Sequence, residues 1–330
     1  MKFPRRTFLQ LAAGAGALPM IARSARAQAY PARPITFVVP FPAGGPTDTV
    51  ARIFGDHLRQ TLGQSVIIEN VAGAGATIGV ARVIRAPPDG YTLSAGNSTS
   101  HVGGPAIYPF QYDILTDLEP VALLSISPTM LIARRNFPAD TVQELIAWLK
   151  ANPDKATGGT SGAGSSGHLA SILFQQQTGT RFQIVPYRGA APAMQDLVSG
   201  QIDLRFASEG SQALPFLRDG QIKALAMLAP TPWPPTPDIP TIDEAGLPGI
   251  HLALWNGIWA PKATPRDIID RLNAAIGAAL SDHALSQRII DLGQILPTPE
   301  QRTPEALAAY HKAEIEKWWP IIKAANIKGE

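Results

Sequence analysis

A βα alternation that runs, breaks off and starts again is the feature that most constrains this chain. Short runs of β-formers alternate with helical stripes, which is how parallel-sheet α/β domains read. Residues 35–39 form a buried strand ending at Pro40. The loop through Asp48 then leads into a helix with the stripe Val50, Ile53, Phe54, Leu58 and Leu62 and a stop at Gly63. Strands follow at 66–69 and 91–95, separated by a Gly-rich turn and a helix carrying Ile78, Ala81 and Ile84. A strand pair at 121–126 and 130–133 closes this series. The second series reads as helix 142–149, a Gly/Ser loop at 158–167, a helix with Leu169, Ile172 and Leu173, and strand 182–185. Helix 192–198, strand 202–206, helix 212–217 and strand 222–228 continue it. Six prolines in 230–240 exclude helix and central strand there. Strand 254–260 and helices 266–281, 283–292 and 303–325 end the chain.

Two series joined once near 121–133 and once by the return strand imply two lobes with two crossings. The expected division is 28–127 plus 256–330 for the first lobe and 128–255 for the second. Ligands bind where strand ends and helix N-termini converge, so the cleft between the lobes is the expected site. Composition agrees with a packed protein, with 45% hydrophobic and 16% charged residues.

The formal charge of +2 is unevenly spread. Lys2, Arg5, Arg6, Arg23 and Arg26 stand in residues 1–27 without an acid, and the remainder carries 23 basic and 26 acidic residues. A mildly acidic body is poor evidence for a nucleic-acid partner, which needs an excess of Lys and Arg, and none is expected. The segment 1–27 reads as an export signal: a charged start, a short apolar run over 11–21, and Ala25-Arg26-Ala27 as the cleavage site. Its Arg5-Arg6 pair before Phe8-Leu9 resembles a twin-arginine signal, so the mature chain is expected in the periplasm. With no cysteine, disulfides, thiolate metal sites and cysteine nucleophiles are excluded.

Three loops carry the candidate chemistry. In 41–48, Gly44 and Gly45 expose backbone N–H groups at a helix start, where Thr47 or Asp48 supplies the cap and an anion is favoured. The stretch 160–168 repeats this with Ser161, Gly164, Ser165 and Ser166 ahead of His168. Serines beside a histidine admit a hydrolase using Ser165 or Ser166 with His168, although G-x-S-x-G is absent. The third loop, Asn97-Ser98-Thr99-Ser100-His101, is a polar strand end that offers side-chain hydrogen bonds to a ligand, or a solvated turn. His57, His251, His283 and His311 show no metal-ligand spacing, so neither a metal nor another cofactor is expected.

The run Val39-Pro40-Phe41-Pro42-Ala43-Gly44-Gly45-Pro46-Thr47-Asp48 resembles the first ligand loop of the tripartite tricarboxylate transporter receptors, the Bug family. Pro88-Asp89-Gly90-Tyr91, Pro186-Tyr187-Arg188-Gly189, Gly200-Gln201-Ile202-Asp203, Asp238-Ile239-Pro240-Thr241, Glu244-Ala245-Gly246 and Trp255 through Pro261 resemble it too, in family order. The resemblance implies a two-lobed α/β periplasmic binding protein of type II-like topology with a central ligand cleft and no catalysis. It implies a small carboxylate ligand, delivery to membrane permease subunits, and a monomer; signalling to a sensor protein is the other outlet. By matching position the ligand residues would be Phe41, Gly44, Gly45, Thr47, Asn97, Ser98 and His101 from one lobe. Ser161, Gly164, Ser165, Ser166 and Ser208 would come from the other. Ala207-Ser208 replaces an aspartate common in the family, which disfavours amino-acid ligands. Arg205 replaces an apolar residue, and its guanidinium is expected on the outer face of the sheet.

Overall fold

The computed structural model describes residues 30–207 and 210–327; the export signal read at 1–27 and the candidate Ser208 lie outside the described residues. The first series comprises β1 (Ile35–Val39), α1 (Pro46–Leu62), β2 (Val66–Asn70), α2 (Thr77–Ile84) and β3 (Thr92–Asn97), its strands parallel. A π turn at Thr99–Gly103 and the short α3 (Gly104–Ile107) lead to β4 (Leu118–Pro128). The second series comprises β5 (Met130–Arg134), α4 (Val142–Ala151), β6 (Thr157–Thr160), α5 (Ser166–Thr178), β7 (Gln183–Pro186), α6 (Ala190–Ser199), β8 (Leu204–Ala207), α7 (Gly210–Arg218) and β9 (Ile222–Met227). Then β10 (Ala253–Pro261), α8 (Arg266–Ser281), α9 (His283–Asp291) and α10 (Pro304–Ala324) follow.

These strands make two five-stranded sheets, ordered β2-β1-β3-β10-β4 and β7-β6-β8-β5-β9. Both are mixed, because β10 runs antiparallel to β3 and β4, and β5 antiparallel to β8 and β9. Side-chain alternation in β1 sends Ile35, Phe37 and Val39 to one face, against Val50, Phe54 and Leu58 of α1 and Leu272 and Ile276 of α8. Val38 points to the other face, with Val80 and Val83 of α2 and Leu307 and Trp318 of α10.

Only Thr129 separates β4 from β5, and β10 pairs with β4 from Pro128 to Leu118, so the two crossings lie side by side. Thr129 N–H donates to Leu252 O (3.2 Å), and its carbonyl accepts from Leu228 N–H (2.8 Å). Three chain segments thus meet in backbone hydrogen bonds where the lobes join.

Two elements depart from the sequence reading. The helix at 77–84 buries Thr77, Gly79, Val80 and Val83, and Ile78 is 50% exposed, so its inward face is rotated from the expected stripe. The expected loop at 158–167 begins with strand β6. Space decides this: a Cβ on Gly158 would lie 2.6 Å from the Phe182 ring, and one on Gly159 2.3 Å from Ile202.

Candidate ligand-binding cleft

Three helix starts converge between the lobes. At α1 the chain turns through Gly44, whose φ of +80° is left-handed and suits glycine. Gly45 is the N-cap and no side chain caps the helix, so neither Thr47 nor Asp48 has the expected capping role. Asp48 instead is buried and accepts from Gly44 N–H (2.8 Å), Arg52 Nε (2.9 Å) and Asn70 Nδ2 (2.9 Å). Burial opposes its ionisation, but the Arg52, Gly44 and Asn70 hydrogen bonds outweigh that and hold the carboxyl below its usual range. Asn70 also donates to Phe41 O (3.0 Å), so the loop hangs on this carboxylate. Asp48→Ala should cost about 3 kcal/mol, because the Gly44 N–H and the Asn70 amide lose an ionised partner. Urea unfolding checks it, and a change below about 1 kcal/mol would contradict the anchoring role.

Thr47 is a node between strands. Its hydroxyl donates to Asn256 Oδ1 (3.1 Å) on β10 and accepts from Asn97 Nδ2 (2.8 Å) at the end of β3. Asn97 Oδ1 in turn accepts from Thr99 N–H (2.9 Å) and Ser100 N–H (3.2 Å), which sets the amide's orientation. The Thr47 proton is therefore committed within the protein, and the residue shapes the wall more than it donates.

At α5 the N-cap is Ser165, whose Oγ accepts from His168 N–H (3.3 Å). The His168 ring accepts at Nδ1 from Gly164 N–H (3.1 Å), and burial lowers its pKa. Ser161 Oγ accepts from Arg205 Nη2 (3.0 Å), leaving the hydroxyl proton available to the cleft. Arg205 is 1% exposed on β8, which corrects the expectation of an outward guanidinium. Its charge stands directly behind Ser161.

The third helix start is that of α6, with Gly189 as N-cap (φ 122°) and Arg188 before it. These ends enclose a cavity of about 390 Å³. Of the sequence candidates, Phe41, Gly44, Gly45, Thr47, Asn97, Ser161, Ser165 and Ser166 line it. Ser98, Gly164 and His101 do not. Ser98 Oγ sits 3.5 Å from Ser166 Oγ in the seam between the lobes, and Gly164 packs on Gly103 and Ile107. His101 is fully buried, its ring stacked on Trp259 at 3.7 Å. Sequence reasoning missed Arg188 through Pro192, Gln212 and Leu254 as lining. The signal for the first group was present, since strand, glycine and helix recur there as at α1.

Every helix of this wall points its N-terminus inward, and among the described residues no acidic side chain lines the cavity. Such an arrangement binds an anion through backbone N–H groups and aligned peptide dipoles. Two α/β lobes with side-by-side crossings and a lined cleft define the class of two-lobed binding proteins.

A family model described as tripartite tricarboxylate transporter family receptor (TctC) matches residues 50–327. The chain belongs to that family. It is 34% identical to protein BugT of Bordetella pertussis over 93% of this chain and 94% of that one. MatC of Rhodopseudomonas palustris, solved with bound malate, is 39% identical, with a TM-score of 0.79 over 89% of this chain and 100% of that one. An R. palustris relative solved with adipate is 33% identical, with a TM-score of 0.81 over 91% of this chain and 100% of that one.

Proposed function

We propose that this chain is an exported receptor that binds a small organic acid in the cleft and hands it to membrane permease subunits of the tripartite tricarboxylate type. The observation that carries the reading is the convergence of the α1, α5 and α6 N-termini on a cavity that no acidic side chain lines among the described residues. Relatives solved with malate and adipate support a carboxylate ligand. The twin-arginine segment and family membership support a monomeric periplasmic protein with its signal cleaved near Ala27; among the described residues no helix is long and apolar enough to cross a membrane. Residues 28–127 with 256–330 would close against 128–255 around the ligand, with Phe41, Gly44, Gly45, Thr47, Asn97, Ser161, Ser165 and Ser166 as the binding wall. The hydrolase reading has less support. His168 Nδ1 is engaged by Gly164 N–H, and Ser165 Oγ by the His168 backbone.

A thermal-shift screen against organic acids identifies the ligand, since one that binds only the folded state raises the midpoint. Calorimetry on variants then tests how it is held. A hydrogen bond to an ionised group is worth about 1.5–3 kcal/mol, so Ser161→Ala should weaken affinity roughly tenfold to a hundredfold. Thr47→Ala should act in the same direction through Asn97 and Asn256. Wild-type binding by both variants, with binding abolished in Arg188→Ala, would mean an arginine clamp instead.

A further inference from the structure

A second chamber of about 250 Å³ adjoins the main cavity. Phe41, Pro42, Thr99, Ser161 and Ser165 border both spaces, which places the chamber directly beside the helix starts. The chemistry changes across that border. The main cavity has three helix N-termini and Arg188, whereas among the described residues no charged side chain borders the second chamber. Its further walls are Pro40, Ala72, Ala76, Ala163 and the Tyr108 ring, with glycine backbone between them.

One wall is held in an unfavourable conformation. Ala74 (φ 45°), Gly75 (φ 60°) and Ala76 (φ 76°) form a left-handed turn, which L-residues avoid. Packing holds it there. A Cβ on Gly75 would lie 2.4 Å from the Tyr108 ring, and one on Gly104 would lie 2.2 Å from Gly75 O. Backbone strain maintained by surrounding packing gathers at ligand-contacting segments. The turn keeps only alanine and glycine on its side of the chamber, and Tyr108 lies across it.

We propose that this chamber is a subsite for the hydrocarbon tail of the bound acid, so that the receptor selects carboxylates with a tail of several carbons over short ones. The proposal rests on the carboxylate-receptor reading above. Water displaced from the Pro40, Ala72, Ala76, Ala163 and Tyr108 surfaces supplies the gain, and a second charge placed there would lose its hydration without a counter-ion.

The test is calorimetric titration of the full mature chain with butanoate, hexanoate and octanoate. Affinity should rise about fourfold for each methylene buried. Ala163→Leu, which fills the chamber from the second lobe, should flatten that series and leave butanoate binding as in wild type. Ala72→Leu fills it from the opposite wall and should do the same, so a folding defect in one variant does not decide the matter. A flat wild-type series with measurable butanoate binding would overturn the subsite alone, as would an unchanged slope in both variants. Failure of every acid to bind, in this series and in the screen, would overturn the receptor reading and the subsite with it.

Discussion

Gly103→Ala is expected to weaken ligand binding by up to about a hundredfold while each lobe stays folded. Gly103 has φ −70° and ψ −53°, ordinary right-handed values, so alanine strains nothing within its own turn. The obstacle lies across the cleft. A Cβ on Gly103 would stand 2.4 Å from Gly164 O, a backbone atom of the loop before α5. Gly164 is itself confined, since its own Cβ would meet Ile107 at 2.5 Å. The first sheet's π turn and the second sheet's ligand loop therefore touch only because both residues lack a side chain. Overpacking a tight contact costs about 1–3 kcal/mol, and here the lobes can relieve it by parting. A receptor that must close to bind loses apparent affinity in proportion to the closed fraction, which at the upper figure is about a hundredfold. Calorimetry gives the affinity, and small-angle scattering with saturating ligand shows whether the variant stays extended. Wild-type affinity would show that the seam yields locally and that closure does not depend on this contact.

Much of the architecture was legible because local and global signals agreed. The stripe of α1 from Val50 to Leu58 is buried as read, and Gly63 ends the helix in the left-handed conformation. The strand runs, the paired crossings and the closing helices followed from the same periodicities. What was not legible depended on partners distant in sequence. Ile78 and Ile84 drew the eye as the inner face of α2, yet Gly79 faces inward because its Cβ would be 2.6 Å from Val71 O. Periodicity weighs bulk, whereas that approach requires its absence. Gly158 and Gly159 read as loop because glycine disfavours strands, and the crowding by Phe182 and Ile202 is visible only in three dimensions. At the site, the α1 and α5 loops announced themselves by glycines and hydroxyls. The start of α6 shares the glycine, Gly189, but has Arg188 and alanines where the other two loops have hydroxyls, so its signal was weaker. His101 looked like a ligand donor at a polar strand end. Its ring is covered by Trp259, more than 150 residues later, which no local pattern records.

That buried histidine leads to the second large effect, a loss of stability on mild acidification. His101 is stacked on Trp259, with Nδ1 2.9 Å from Ser100 Oγ. His311 on α10 is also buried, and its Nε2–H donates to His101 O (2.8 Å). Burial pushes His311 down to about 4, only partly offset by that hydrogen bond. Burial, then the neighbouring His311, puts His101 well below its ordinary value. Both rings are thus neutral in the fold, while in the unfolded chain they protonate near 6.5. As pH falls below about 6.5 the unfolded state binds protons that the folded state refuses, so stability is full above that value and declines toward pH 4. His311 alone accounts for about 3 kcal/mol over this window, a large share of a typical domain's stability. Glu314 on the same helix opposes the trend. Burial raises its carboxyl pKa, Lys317 and the indoles of Trp255 and Trp318 lower it in part, and the net rise favours the fold at low pH. One carboxyl acts against two histidines, so the sign of the net effect is unchanged. Urea midpoints between pH 7.5 and 4.5 should fall steadily, and His311→Gln, which keeps an N–H donor, should remove about half of the slope. A wild-type profile flat from 6.5 to 4.5 would mean that water reaches these rings in the native state and that the packing of Trp259, His101 and His311 does not keep them neutral.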